Sequence, residues 1–242
     1  NWLSTFSNLF ATSIPSPTNP QLLALFDYAT FLNNGIDLNG FLADITSGNG
    51  PIGITFSNIS IQSLDSTNAT AAVRFSIAGG GWDVWNFTRK DSNWCSQGNR
   101  FIAEISFHPS ALYYPAGASG NGPPEFRTGI SFEIHEKGSS SGNGINSAVV
   151  NGPGLPAGGL NLFRLSGYTN LHLATDDWNV PPGYYSAMSE ATISAIPNNA
   201  SYTVRLLDVG NQVLGVYTIT MPTRPLLLSE LLASRFPSFS EQ

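Results

Sequence analysis

The sequence predicts an α+β unit followed by an all-β unit. Three observations carry this. Up to Gly48 apolar residues recur at helical spacing, from Ile52 onward they alternate with a period near two, and the stretch Tyr114–Pro124 (Y-P-A-G-A-S-G-N-G-P-P) interrupts the pattern with Gly and Pro. Together they divide the 242 residues into an α+β domain over 1–115, a linker over 116–124, a β-sandwich over 125–225 and a short helix with tail over 226–242.

Trp2, Leu3, Phe6, Leu9 and Phe10 make one face of a short amphipathic helix that Pro15 and Pro17 stop. A longer helix is expected after Asn19. That residue can cap, Pro20 suits the first turn, Leu22, Leu25, Phe26, Ala29 and Leu32 share a broad face, and Asn34-Gly35 supplies a left-handed stop. A third, short helix is expected over Leu38–Ile45, ending by Gly48. The period then shortens: Ile52, Ile54 and Phe56 alternate, and Ile59 and Ile61 resume on the other parity, which places a bulge near Ser57-Asn58. Strands follow at Ala71–Ala78, Trp82–Lys90, Trp94–Asn99 and Phe101–Phe107, with Asp91-Ser92-Asn93 as a tight turn.

In the second half, strands are expected at Gly129–Glu136, Ile145–Val150, Leu160–Leu165, Asn170–Thr175, Ala191–Ile196, Tyr202–Asp208 and Val213–Met221. Short strands separated by Gly, Pro and Asn turns suit a sandwich. Ser229–Arg235 reads as a short helix after Pro225.

Composition restricts the function. Only 11% of residues are charged, and acids exceed bases evenly, seven against four in residues 1–115 and nine against six in 116–242. Neither half carries a basic face that would neutralise phosphates, so nucleic acid is excluded as a partner. No apolar run is long enough to span a membrane as a helix. Cys95 is the only cysteine, so neither an intramolecular disulfide nor a cysteine metal cluster can form. A polar surface built from Asn, Ser, Thr and Gly, with Lys90 and Lys137 the only lysines, fits an exported protein of the periplasm or cell surface. With no Met start or basic leader, a signal peptide is expected either to have been removed or to lie outside this sequence, and a lipid anchor on the precursor stays open. Asn58, Asn68, Asn86 and Asn199 head N-x-S/T sequons, which in a chain this rich in Asn, Ser and Thr we read as chance.

The densest constellation is W-D-V-W-N-F-T-R-K-D-S-N-W-C-S-Q-G-N-R at Trp82–Arg100. Its three tryptophans can pave a sheet face, as a ligand platform with Arg89 or Arg74 as anion anchor, or as core filling. Strand parity puts Trp82 and Trp85 on opposite faces. With Phe31-Leu32-Asn33-Asn34-Gly35 before it, the pattern over about residues 19–110 resembles NTF2-like (SnoaL-like) domains of exported bacterial proteins. The resemblance implies a curved sheet wrapped around a long helix into a cone. Asn151–Gly159 (N-G-P-G-L-P-A-G-G) and Ser201–Asp208 (S-Y-T-V-R-L-L-D) resemble the Ig-like or fibronectin-type sandwiches of bacterial surface proteins.

Such cones include isomerases, dehydratases and epoxide hydrolases, so the resemblance makes Asp27, Tyr28, Asp44, Glu104 and His108 candidates for acid–base work. No spacing singles out a dyad, and the four ionisable candidates Asp27, Asp44, Glu104 and His108 are expected not to converge. His108, His135 and His172 lack metal-ligand spacing, Cys95 reads as a structural thiol, Asp176-Asp177-Trp178-Asn179 as an Asx turn and Gly117–Gly122 as linker. A viral jelly-roll coat lacks its expected basic arm here. The expectation is therefore a non-catalytic cell-envelope binding or interaction module, without cofactor or metal, with Trp82, Trp85, Arg89, Trp94 and Tyr28 as ligand contacts. Its partner would be a small apolar ligand or an envelope protein, and self-association is compatible. The rival is an enzyme acting on a small apolar substrate in the cone.

Overall fold

A computed structural model describes residues 2–48, 50–77, 82–114, 125–137, 144–174 and 183–233. The fold is predominantly β, with several antiparallel sheets and few helices. Two compact units divide the chain between Ala103 and Glu104, upstream of the Gly/Pro-rich stretch, with Lys137 grouped with the first. The expected linker at 116–124 lies outside the described residues. Among the described residues no helix is long and apolar enough to cross a membrane.

In the first unit, helix α1 (Trp2–Leu9) buries Trp2, Leu3 and Phe6, the predicted face. Helix α2 is only Pro20–Leu23, where a helix through Leu32 was expected. Asn19 does cap it, its Oδ1 accepting from Gln21 N and Leu22 N at 2.8 and 3.3 Å. Tertiary pairing overrides helical spacing beyond that point. Ser96 N donates to Leu25 O, and Asp27 N to Ser96 O, both at 2.8 Å, so the chain runs out beside a strand instead of coiling on. Asn34 (φ 53°) and Gly35 (φ 84°) turn a hairpin between β1 (Leu32–Asn33) and β2 (Ile36–Asp37) rather than stopping a helix. Asn-Gly with both residues left-handed is a strong hairpin signal. Asp37 then caps α3 (Leu38–Ile45), accepting from Gly40 N at 2.9 Å.

The strands β3 (Phe56–Asp65), β4 (Thr70–Ile77), β5 (Trp82–Lys90) and β6 (Asn93–Gly98) form an antiparallel sheet in chain order. The pairing of β3 with β4 slips between Ser57 and Ser60, where the parity switch predicted a bulge, and Asn58 takes φ 50°. Against this sheet packs an aromatic core. Trp85 meets Trp2, Phe31, Phe41 and Phe75 with ring centroids 5.6–6.4 Å apart, mostly edge to face.

The second unit contains two antiparallel sheets. Strand β7 (Glu104–Tyr114), longer and later than the expected Phe101–Phe107, pairs along its length with β8 (Glu125–His135). The other sheet uses β9 (Ser147–Asn151), β10 (Leu160–Arg164) and β11 (Leu171–Leu173). A strand not foreseen, β12 (Tyr184–Tyr185), joins β8. The segment expected as a strand at Ala191–Ile196 is helix α4 (Glu190–Ser194), because Ser189 Oγ accepts from Thr192 N at 3.1 Å and Glu190 stands in the first turn. Strands β13 (Ala200–Leu207) and β14 (Val213–Met221) complete the second sheet in the order β11-β10-β9-β13-β14, and α5 (Leu228–Ala233) follows. Tyr202 of β13 touches Phe107 of β7 and Phe132 of β8, with centroids 5.7 and 6.2 Å away, so the two sheets pack face to face. Burial without a cationic partner pushes the Tyr202 hydroxyl up to about 12.

Candidate functional site

Alternation along β5 and β6 sorts the Trp-rich segment by face. Trp85 and Phe87 point to the helices and are buried, at 6% and 4% exposure. Trp94 pairs across the ladder with Arg89 and packs half-buried at the edge of the same core. It sits beside the Asp91-Ser92 turn. There a cleft of about 590 Å³ opens, with Trp94 as one wall, Trp2 and Leu25 beneath, and Ser92 and Asn93 at the hairpin end. Thr5 and Asn8 of α1 and Gln21 of α2 form the opposite rim. That volume falls in the range of small-molecule sites.

The helical period explains the arrangement. Trp2, Thr5 and Leu9 share the stripe of α1 that faces the cleft, and the Trp2 indole N–H donates to Leu25 O at 2.5 Å, tying α1 to the chain after α2. None of the described residues lining the cleft is ionisable. Among the described residues, the side-chain amides of Asn8, Gln21 and Asn93 and the indole N–H of Trp94 make no hydrogen bond.

The other expected contacts do not gather here. Trp85 is core, and Arg89 is exposed, its backbone N–H donating to Ala69 O at 2.8 Å. Tyr28 is 65% exposed and donates its hydroxyl to Asn39 Oδ1 at 3.2 Å. The Trp82 side chain lies outside the described residues, so its face relative to Trp85 does too.

A second polar group occupies the opposite face of β5–β6, where Lys90 and Gln97 alternate with Arg89 and Ser96. Asp27, 3% exposed, accepts from Lys90 Nζ at 2.5 Å, Thr30 Oγ1 at 2.6 Å and Gln97 Nε2 at 3.2 Å. Burial pushes its carboxyl up, but the three donors more than offset this and hold it below the ordinary range. The hydrogen bond to Asp27 raises Lys90. Every one of these groups is satisfied inside a structural ion pair. Cys95 is buried beside it with its Sγ 3.7 Å from Ala24 O, and burial pushes the thiol up, away from nucleophilic character.

Of the ionisable candidates, Asp27 and Asp44 belong to the first unit and Glu104 and His108 to the second. Asp44 is exposed on α3, while Glu104 stands 3.6 Å from His135 and His108 3.9 Å from Glu133 along the β7–β8 ladder of the second unit. A carboxylate that sequence reading passed over is Asp83, which accepts from Trp85 Nε1 at 2.8 Å and Val84 N at 2.7 Å. Burial pushes it up, and those two bonds only partly oppose the rise. Its signal was the D-x-W spacing, which puts carboxylate and indole on one face of a strand.

In the second unit a cleft of about 510 Å³ is lined by Asn161, Phe163 and Tyr185, together with Arg127, whose guanidinium is taken up by Glu125 at 2.7 Å. Among the described residues no group of three His, Cys, Asp or Glu gathers to hold a metal ion. Asp176–Asn179 and Gly117–Gly122 lie outside the described residues. No protein-family model, curated protein or solved structure matches the chain.

Proposed function

We propose that the protein is a non-catalytic binding module of an exported bacterial protein, built as an NTF2-like unit followed by an Ig-like sandwich, and that its contact surface in the first unit is the cleft at Trp94. One observation carries this. The space between sheet and helices that an acid–base pocket would need is occupied by Trp2, Phe26, Phe31, Phe41 and Trp85 in mutual ring contact, while Trp94 borders a cleft.

Short helices packed on an antiparallel sheet support the α+β part of the NTF2-like reading, while α2 is four residues where that resemblance implied a long helix, and two sheets in face-to-face contact support the Ig-like part. The low charge supports an envelope location. The test is an NMR titration of the ¹⁵N-labelled chain with a library of small uncharged organic fragments. Shifts should gather on the Trp94 indole and the Asn8, Gln21 and Asn93 amides. Asp27→Asn should leave them unchanged, as befits a residue outside the site. Shifts confined to other residues, or none at all, would sink the proposal.

A further inference from the structure

We infer that the Trp94 cleft takes a neutral saccharide rather than an apolar compound. This deepens the binding-module reading and rests on it. An apolar ligand wants a closed, apolar pocket, and any polar group it covers must lose water without compensation. The cleft is open and mixed, with Trp2, Leu9, Ala24, Leu25 and Trp94 beside an equal number of polar residues. Its rim carries three carboxamides, Asn8, Gln21 and Asn93, and two hydroxyl side chains, Thr5 and Ser92.

Each carboxamide presents a donor pair and an acceptor, the combination that matches vicinal sugar hydroxyls, which both give and accept hydrogen bonds. These amides are not spent on partners among the described residues, so engaging them breaks no bond there. Trp94 supplies the other half of the recognition. Its indole is held half-buried against the core, so it offers a face already fixed in place, on which the C–H side of a sugar ring can stack.

Charge decides between classes of saccharide. With no ionisable residue among those described in the lining, the cleft has nothing to pair with a uronate, sulfate or phosphate, whose desolvation would go uncompensated. The aromatic core beneath keeps the platform rigid, which limits the ordering cost that weakens loosely built sites.

The experiment is a titration of the whole chain with short oligomers of glucose, mannose, galactose and N-acetylglucosamine, with oligogalacturonate as the charged comparison and the uncharged N-phenyl-1-naphthylamine as the apolar one. Binding is read by tryptophan fluorescence and calorimetry. At least one neutral oligomer should bind with Kd on the order of 1 mM or tighter. Trp94→Ala should weaken it roughly tenfold or more. Asn8→Ala and Gln21→Ala, both on the exposed rim, should weaken it several-fold without loss of the folded state, as followed by circular dichroism.

Failure of every neutral oligomer to bind at about 10 mM would overturn the saccharide inference. If the apolar probe then binds and Trp94→Ala abolishes that binding, the module reading stands with a different ligand. Saturable sugar binding that Trp94→Ala leaves intact overturns the site itself, and preference for oligogalacturonate overturns the argument from charge.

Discussion

Lys90 Nζ lies 2.5 Å from Oδ1 of Asp27, a side chain 4% exposed, although Lys90 itself is half in solvent. The lysine reaches in to the carboxylate, not the reverse. Because the folded-state pKa of Asp27 lies below its unfolded value, its stabilisation is complete above the ordinary aspartate range and is lost as pH falls through the folded value. Lys90 has the opposite sign: raised in the folded state, it stabilises fully below the ordinary lysine range and ceases to do so as pH rises through its folded value. Asp27→Ala should cost about 2 kcal/mol at neutral pH by urea unfolding. Lys90→Met should raise the pH of acid unfolding, since the carboxylate loses its first donor. An unchanged acid midpoint would mean that Thr30 and Gln97 suffice.

Asp83 should respond in the other direction. Its pKa is raised, so the ionised form opposes folding above that value, and stability from this group increases as pH falls through it. Asp83→Asn drops the buried charge but keeps one acceptor oxygen, so its Nδ2 would face either Trp85 Nε1–H or Val84 N–H, which now bond to separate oxygens. Its stability should therefore lose the parent's rise as pH falls through the raised Asp83 value, whatever its offset at neutral pH. A variant that keeps that rise would contradict this account.

The tryptophans should separate in denaturation as they do in packing. Trp85, enclosed by four aromatic rings, should cost about 3–5 kcal/mol when truncated to Ala. Trp94→Ala, at the half-open edge, should cost less than about 1.5 kcal/mol. Equal losses would place Trp94 in the core and remove the cleft wall from consideration.

Gly98→Ala should be among the most damaging single-methyl changes in the first unit. The residue has φ 69°, and a Cβ there would meet the carbonyl oxygen of Leu32 at 2.4 Å, a backbone atom that cannot swing aside. Left-handed strain of about 1–2 kcal/mol adds to that clash. A thermal shift of only a degree or two would show that the hairpin carrying Leu32 can withdraw freely.

The antiparallel sheets were legible because alternation and turn chemistry agreed. Trp82–Lys90 and Val213–Met221 coincide with their strands, and even the bulge after Ser57 followed from a parity switch in Ile59 and Ile61. The errors occur where a local rule had two meanings. Asn34-Gly35 suits a helix stop and a hairpin equally, and only the pairing of Leu25 and Asp27 with Ser96, remote in sequence, decides between them. Ala191–Ile196 read as a strand, and the Ser189 cap and Glu190 that start helix α4 lie just outside that segment. Trp94 stood among the expected contacts, but the cleft it borders was not legible. Its opposite rim comes from Thr5, Asn8 and Gln21, which read as ordinary solvent-facing positions until the tie from Trp2 to Leu25 brings the segments together.

Asn99 bridges the β1–β2 hairpin to the end of the sheet: its Oδ1 accepts from the backbone N–H groups of Asn34 and Phe101, and its Nδ2 donates to Asn34 Oδ1 at 2.7 Å. The two ends of this clasp are far apart along the chain, so during synthesis the N-terminal helices emerge long before the residue that fastens them. Until Asn99 leaves the ribosome, the Asn34 amide has no fixed acceptor and Leu25 no strand to pair with. A nascent chain halted at the β5–β6 turn would therefore lack both fastenings and leave the aromatic face of its helices uncovered.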